Sequence, residues 1–308
     1  MTSARGQLAA GLARLADVTV LAEEPLARHT SFGIGGPAEA LVLPHGAEAL
    51  SAVMAWLAVG GQRPLLLGNG TNLLVSDAGV RGVVVKLAGG LRGMELRSER
   101  LVAAAGEALA AVGDRAAQAG LSGLEYIAGI PGTVGGAVIM NAGAFDAEIA
   151  QVVEWAEVVD PQGQFRRLGR EDLDFGYRRC ALRDAGSALS RVGLRLVPGD
   201  PASIHRRMCE TLERRCAKQP VAQRSAGCIF KRPPGDYAGR LVEAVQGKGL
   251  RVGGAEVSPK HANFIVNIGG ATACDVLEHI RLVQHRVREE FGVELEPEIC
   301  LVGEPDRP

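Results

Sequence analysis

The sequence predicts an α+β protein, a long β-rich region followed by a smaller unit dominated by helices. Before residue 200, short apolar runs are separated by Gly- and Pro-marked turns, the pattern of successive strands. Pro198-Gly199-Asp200-Pro201 then interrupts the chain more sharply than any other segment. Beyond it lie three segments of helical character, Ser203–Cys216, Tyr237–Gln246 and Thr272–Phe291.

Taken in order, MTSARGQLAAGLARLADV places Leu8, Leu12 and Leu15 at helical spacing. Val18–Leu21, Ala40–Leu43 and Pro64–Leu67 read as strands, with a helix over Ala47–Val59. Val83–Leu87 and Leu101–Ala104 are further strands, and a helix over Ala108–Ala119 stops at Gly120. Val152–Val159 and Gln164–Leu168 form a hairpin over the turn Pro161-Gln162-Gly163, and Val192–Val197 adds a strand. The C-terminal part carries strands at Glu256–Ser258, Phe264–Ile268 and Ile299–Val302. Its last helix has Val276, Ile280, Val283, Val287 and Phe291 on one face. Thr272 is its N-cap, with Asp275 three residues on, and Gly292 follows its end.

With 308 residues, 47% of them hydrophobic, the chain can bury a core in more than one domain. A net charge of −1 argues against a nucleic-acid partner. The most apolar window, Ala47–Gly61, contains Glu48 and is too short to span a bilayer. There is no signal-peptide core at the N-terminus, so a cytoplasmic protein without membrane insertion is expected. The six cysteines (Cys180, Cys209, Cys216, Cys228, Cys274 and Cys300) include no C-x-x-C pair. That spacing predicts neither a metal site nor a disulfide framework, and most of the thiols are expected to fill the core in reduced form.

Three glycine-rich segments stand out, at residues 29–38 (HTSFGIGGPA), 68–77 (GNGTNLLVSD) and 124–145 (LEYIAGIPGTVGGAVIMNAGAF). The last is largely apolar and carries one charge, Glu125. It suits backbone turned tightly beside a ligand, and equally a turn between two core strands. GNGTN lacks the Gly-Lys-Ser/Thr of a Walker A loop, and Leu73 stands where a Rossmann fingerprint needs its third glycine. Two such loops in one β-rich region are more informative than either alone.

Between Arg206 and Arg232 eight Lys/Arg stand against Glu210 and Glu213. A solvated helix face accounts for Arg206–Arg215. It accounts less well for RSAGCIFKRPPG at 224–235, which suits a phosphorylated small molecule. Cys228 reads by type as a buried inert thiol, and Arg178 as a surface charge. Glu298, in a largely apolar strand, lies either at a sheet edge or in a site.

Together these segments resemble the UDP-N-acetylenolpyruvoylglucosamine reductases, flavoenzymes of bacterial peptidoglycan precursor synthesis. The likeness runs from Leu26 to Gly303. It rests, in order, on HTSFGIGGPA, LLGNGTNLLVSD, GLEYIAGIPGTVGGAVIMNAGAF, FGYR, SAGCIFKRP, KHANFIVNIGGATACDV and LEPEI. KHANFIVN and the short C-terminal part are similar to the shorter form of the family, which lacks an inserted substrate-covering loop.

The resemblance implies an α+β fold with a two-subdomain FAD-binding unit of the vanillyl-alcohol-oxidase (PCMH) type, at 1–85 and 86–200. A smaller α+β substrate-binding domain would follow at 201–308. Asn69, Gly70, Thr71 and Asn72 would contact the FAD pyrophosphate. Gly132, Thr133, Val134, Gly135, Gly136 and Ala137 would pass beside the flavin, and Asn141 and Gly143 would help complete the pocket. NADPH would deliver hydride and leave, and the enolpyruvyl UDP-sugar would then be reduced to UDP-N-acetylmuramate. Arg178 would bind the substrate carboxylate, with Glu298 on the other side of the intermediate.

Cys228 stands where many members have a serine proton donor, and a thiol gives up its proton far more readily than an alcohol. Lys218, Gly227 and Arg232 would lie against the substrate, Lys218 at its diphosphate and Arg232 near that group or the nicotinamide phosphate. No oligomer is required. A different flavoprotein on the same FAD scaffold, for instance an FAD oxidase of a sugar or alcohol, would keep the glycine loops without needing SAGC and EPE together. A non-catalytic nucleotide-binding module would have no need of Arg178, Cys228 and Glu298 at once.

Overall fold

The computed structural model describes residues 4–304. The elements in chain order are α1 (Ala4–Leu12), β1 (Val18–Pro25), β2 (Pro37–Pro44), α2 (Ala47–Val59), β3 (Leu65–Leu67), β4 (Leu73–Val75) and β5 (Val80–Lys86). Next come β6 (Met94–Arg97), β7 (Arg100–Ala104), α3 (Leu109–Gln118), β8 (Leu121–Ser122), α4 (Val134–Ile139), β9 (Gly143–Ala144), β10 (Ala147–Glu148), β11 (Val153–Val159) and β12 (Phe165–Gly169). The chain ends with β13 (Ala188–Arg195), β14 (Val197–Pro198), α5 (Pro201–Lys218), α6 (Ala238–Ala244), β15 (Arg251–Val252), β16 (Ala255–Val257), β17 (Ile265–Asn267), α7 (Ala273–Phe291) and β18 (Cys300–Val302). Among the described residues no helix is long and apolar enough to cross a membrane.

The chain divides into two compact units. One takes the chain up to Glu23, Glu39–Asn69 and Gly82–Glu213; the other takes Glu24–Ala38, Gly70–Arg81 and the chain from Arg214 onward.

The first unit holds a four-stranded sheet in the order β1-β2-β5-β3 and a five-stranded antiparallel sheet in the order β12-β11-β13-β7-β6. In the smaller sheet β3 runs parallel to β5, with Leu65 opposite Val84. Its core gathers Leu50, Val53, Met54 and Leu57 of α2 with Val83 and Val85 of β5, Leu109 and Val112 of α3, and Val192 and Leu194 of β13. The α2 positions recur at helical spacing, so one stripe of that helix faces the sheet. The expected hairpin forms because Asp160 organises its turn. Its carboxylate accepts the N–H groups of Gln162 at 3.0 Å and Gln164 at 2.9 Å and the Nε–H of Arg166 at 2.7 Å.

Two expectations in this unit shift. The first three residues of the expected N-terminal helix lie outside the described residues, and α1 ends at Leu12, before Leu15. Strand β13 starts at Ala188, earlier than expected. Buried on nearly every position, it shows no alternation that would mark its start.

In the second unit β15-β16-β17 form an antiparallel sheet, and β18 pairs in parallel with β4, Cys300 opposite Leu73. Leu241 and Val242 of α6, Val276, Ile280, Val283 and Val287 of α7, and Val257 and Ile265 of the sheet share one core. Phe32, Ile34 and Leu74 belong to it as well. The cap expected on α7 is present: Thr272 Oγ1 accepts the Asp275 N–H at 3.1 Å, and Asp275 Oδ2 accepts the Thr272 N–H at 3.0 Å. Asp77 takes the next two orphan amides, of Ala273 at 2.8 Å and Cys274 at 3.1 Å. Phe291 departs from the expected buried stripe. It is 38% exposed and lies under the Arg240 guanidinium, 5.4 Å from its ring centre.

Most cysteines do not fill the core. Cys180 is buried, Cys228 and Cys300 are half-buried, and Cys209, Cys216 and Cys274 are exposed, none of them in a disulfide. The exposed three lie on the outer faces of α5 and α7, where helical phase rather than residue type sets burial.

In the first unit α5 is fastened by an ion pair. Arg207 Nε donates to Glu125 Oε1 at 3.2 Å, and the same carboxylate accepts from Ser122 Oγ at 2.7 Å and Gly123 N–H at 2.8 Å. Burial alone would raise the Glu125 pKa, but the bonds from Arg207, Ser122 and Gly123 hold it below the usual carboxylate range. A depressed folded pKa contributes stability that is present at neutral pH and lost as pH falls through it. Glu125→Gln is therefore expected to lower the thermal midpoint at pH 7, and the gap to the parent should close as the pH is taken below the carboxylate range. Melting curves across that range check it.

Candidate active site

The long glycine-rich stretch is a wall of the first unit, built as a short helix rather than a loop. Thr133 caps α4, its Oγ1 accepting the Gly136 N–H at 3.2 Å. Val134 N–H donates to Glu107 O at 2.9 Å, Gly135 N–H to Ala105 O at 2.8 Å and Ala137 N–H to Thr133 O at 2.9 Å. With these amides engaged inside the chain, the segment presents a thin backbone surface rather than an anion hole. A Cβ on Gly135 would come within 3.0 Å of Ala105, so that glycine serves close packing. A Cβ on Gly136 would have only Thr133 Oγ1 within 4 Å, at 3.5 Å, so this exposed glycine leaves open space beside the backbone, as a flat ring system needs. Gly132 has φ +133° and hands the chain into the cap.

The second glycine loop meets this wall at Gly68, where a Cβ would stand 2.7 Å from Thr133 Oγ1. Asn69 is the next residue and is exposed. Gly70 belongs to the other unit. At φ +60° and with His29 O where a Cβ would come within 2.4 Å, it can only be glycine. Its carbonyl accepts the Ser31 N–H at 3.2 Å, and Ser31 Oγ donates to Ser225 O at 2.7 Å, joining the first glycine-rich segment to the SAGC turn. Thr71 follows, half-buried.

Arg178 lies in the first unit on strained backbone, at φ 54°, a region that few non-glycine residues occupy. Its guanidinium is half-buried, 3.5 Å from Gly143 O and 5.3 Å from the centre of the Tyr177 ring. Asn141, only 1% exposed and itself at φ 41°, holds the turn before it. The Asn141 Nδ2 donates to Gly176 O at 3.0 Å and Glu148 Oε2 at 2.8 Å, and its Oδ1 accepts the Ala150 N–H at 3.2 Å. Burial, aided by the charge of Glu148, pushes the Tyr126 hydroxyl pKa far up, so the phenol remains neutral.

Cys228 and Glu298 lie in the second unit, on neighbouring segments. Glu298 N–H donates to Ile229 O at 2.7 Å and Lys231 N–H to Glu296 O at 2.8 Å, with Phe230 bridged to Pro297. On the other flank Cys228 is bridged to Phe264 and Arg224 to Asn267. Asn72 Nδ2 donates to Glu298 O at 3.1 Å, and Cys300 N–H donates to Asn72 O at 2.9 Å. Gly227, at φ +79°, precedes the half-buried thiol, with nothing within 4 Å of where its Cβ would be.

Lys218 ends α5, exposed. Arg232 is exposed too and stacks 4.2 Å over Tyr237. Arg215, read from sequence as part of a solvated face, is 9% exposed. Burial lowers its pKa, and the negative forms of Cys228 and Cys216 would raise it, so its guanidinium feels charge on the thiol.

This β-rich unit, with two glycine loops in contact and no Rossmann or Walker signature, belongs by its profile match to a flavin-binding class of protein. The profile described as "FAD binding domain" matches residues 38–169, and that of "UDP-N-acetylenolpyruvoylglucosamine reductase, C-terminal domain" matches 219–302. The chain belongs to the UDP-N-acetylenolpyruvoylglucosamine reductase family. It is 48% identical to the reductase of Rubrobacter xylanophilus over 92% of this chain and 95% of that one. It is 46% identical to that of Caldanaerobacter subterraneus over 91% and 93%. The solved UDP-N-acetylenolpyruvylglucosamine reductase of Thermus caldophilus is 42% identical and superposes with a TM-score of 0.79, covering 92% of this chain and 98% of that one. The expected FAD-binding unit followed by a C-terminal α+β domain is therefore borne out.

The contact of Gly68 with Thr133 yields a prediction. Gly68→Ala should force Thr133 out of its capping rotamer, at a cost of about 1 kcal/mol for the lost cap, and weaken FAD retention. In a Thr133→Ser background, which removes only the methyl, the effect of Gly68→Ala should persist; in Thr133→Ala, which already lacks the cap, Gly68→Ala should add little further. Flavin fluorescence during reconstitution of the apoprotein measures all three.

Proposed function

We propose that the chain reduces UDP-N-acetylenolpyruvylglucosamine to UDP-N-acetylmuramate with NADPH as reductant, in cytoplasmic peptidoglycan precursor synthesis. FAD, when bound, supplies two-electron transfer between NADPH and the sugar nucleotide. Asn69, Gly70, Thr71 and Asn72 would hold its pyrophosphate; Gly132, Thr133, Val134, Gly135, Gly136 and Ala137 would flank its ring, with Asn141 and Gly143 completing the pocket. One chain carries every residue assigned, so no oligomer is required. The proposed division of labour, FAD binding by 1–85 and 86–200 and substrate binding by 201–308, is one of role and not of packing.

Reduction of the enolpyruvyl double bond adds hydride to its terminal carbon and a proton to the carbon bearing the carboxylate. Negative charge therefore gathers on the carboxylate, and Arg178, planar and always charged, binds it. The strained backbone at Arg178 supports this role. Cys228 gives its Sγ proton to the carbon, and Glu298 steadies the other side of the intermediate. The observation that carries the assignment is the 2.7 Å bond from Glu298 N–H to Ile229 O, which ties the glutamate to the residue after the thiol. Lys218, Arg232 and Gly227 serve the diphosphate end, Lys218 and Arg232 as exposed cations.

The purified protein should be yellow, bleach with NADPH, and regain colour anaerobically only when the enolpyruvyl UDP-sugar is added. Rapid reoxidation by oxygen alone would favour an oxidase, and absence of a flavin spectrum would sink both readings. Cys228→Ala should leave bleaching by NADPH intact and slow reoxidation by the sugar nucleotide about 10²- to 10⁴-fold, with Cys228→Ser retaining part of the rate. A Cys228→Ala enzyme turning over at the parental rate would show that the proton comes from elsewhere.

A further inference from the structure

Neither glycine motif nor charge pattern marks Asn263, yet it makes three hydrogen bonds to the segment that carries Cys228. It is 6% exposed. Its Oδ1 accepts the Phe230 N–H at 2.9 Å, its Nδ2 donates to Phe230 O at 2.8 Å, and its backbone carbonyl accepts the Ile229 N–H at 2.8 Å. One residue thus satisfies both polar groups of Phe230 and the amide of Ile229, the two positions directly after Cys228. Asn263 is itself anchored: its N–H donates to His261 Nδ1 at 3.2 Å, and the His261 ring packs edge-on against Phe264, centroids 4.9 Å apart. Phe264 is the residue bridged to Cys228.

The chemistry of the side chain matters. Phe230 presents a donor and an acceptor side by side, and a carboxamide matches both, as a paired strand would. Aspartate offers acceptors only and would set a charge against Phe230 O; alanine leaves both groups unpaired in the interior. Among the described residues the 224–231 segment belongs to no named strand and pairs through isolated bridges at Arg224, Cys228 and Phe230.

We propose that Asn263 is a positioning residue for the acid Cys228: its carboxamide sets the backbone after the thiol and so fixes the direction from which the proton is delivered. This rests on the reading of Cys228 as proton donor. A displacement on the order of 1 Å at a reacting group costs about 10²-fold in rate. The effect belongs to the second half-reaction alone.

Stopped-flow measurements on flavin-loaded Asn263→Ala and Asn263→Asp test it. Bleaching by NADPH and the dissociation constant of the enolpyruvyl UDP-sugar, read from the oxidised flavin spectrum, should stay within about threefold of the parent. Anaerobic reoxidation should fall about 10²-fold, with a larger solvent deuterium isotope effect as proton delivery becomes limiting. In the Cys228→Ala background the Asn263→Ala change should have little further effect, since there is no thiol left to aim. Parental reoxidation in both variants would overturn the inference. So would equal losses in substrate affinity and both half-reactions, additivity with a damaged Cys228→Ala, or failure of both variants to retain FAD, each of which marks a general structural role. A parental rate for Cys228→Ala alone would instead remove the proton-donor reading on which the inference stands.

Discussion

Buried backbone that lies outside regular sheets and helices must still pair its amides and carbonyls, and here asparagine side chains meet that demand beside each of the three proposed reactive residues. Asn141 holds Gly176 O, two residues before Arg178. Asn263 closes on Phe230, two residues after Cys228. Asn72 takes the carbonyl of Glu298 itself. Reactive side chains need approach directions that strands and helices do not supply, and the price is irregular backbone. A carboxamide stabilises such backbone with a donor and an acceptor on one short side chain, while bringing no charge into the interior.

The thiol at position 228 fits this setting chemically. A proton donor is left charged when it has acted, and a thiolate bears that charge more readily than an alkoxide. Arg215 is 9% exposed; burial lowers its pKa, and negative charge on Cys228 would act on that guanidinium in the opposite direction. The open side at Gly227 leaves the segment accessible from one direction.

Much of the fold was legible because its signals are local. The cap on α7 is a Thr-x-x-Asp pattern whose bonds form within one turn, and the β11–β12 turn is closed by Asp160 across four residues. What escaped notice depends on distant partners or on helical phase. Strand β4 has three residues and acquires meaning only when β18 arrives beside it. The helix α4 hides behind adjacent glycines, residues that lower helix propensity, and is held by Thr133 and by carbonyls of the 105–107 segment. Arg215 looked solvated among charged neighbours on α5; its phase on the helix turned it inward. Of the site, the glycine loops and the three proposed reactive residues could be found as motifs. Asn263 lies inside the KHANFIVN motif, but its bonds to Phe230 and the inward phase of Arg215 could not be read there, because they depend on partners far along the chain.

That dependence on distant partners also explains why the second unit takes up two early segments. Its core includes Phe32, Ile34 and Leu74, and among the described residues β18 pairs in its sheet with β4 alone. Asn72 and Glu298, 226 residues apart, are joined by one hydrogen bond. The chain after Arg214 therefore lacks part of its own interior, and supplying it closes a long loop in the sequence. Within the second unit, that bond and the one from Cys300 N–H to Asn72 O tie Asn72, the last residue of the GNGTN loop, to the strand that follows the glutamate. A shift of the loop's backbone at Asn72 moves the Glu298 carbonyl directly. The residue proposed to steady the substrate intermediate is thus hydrogen-bonded to Asn72 of the loop proposed to hold the cofactor's pyrophosphate.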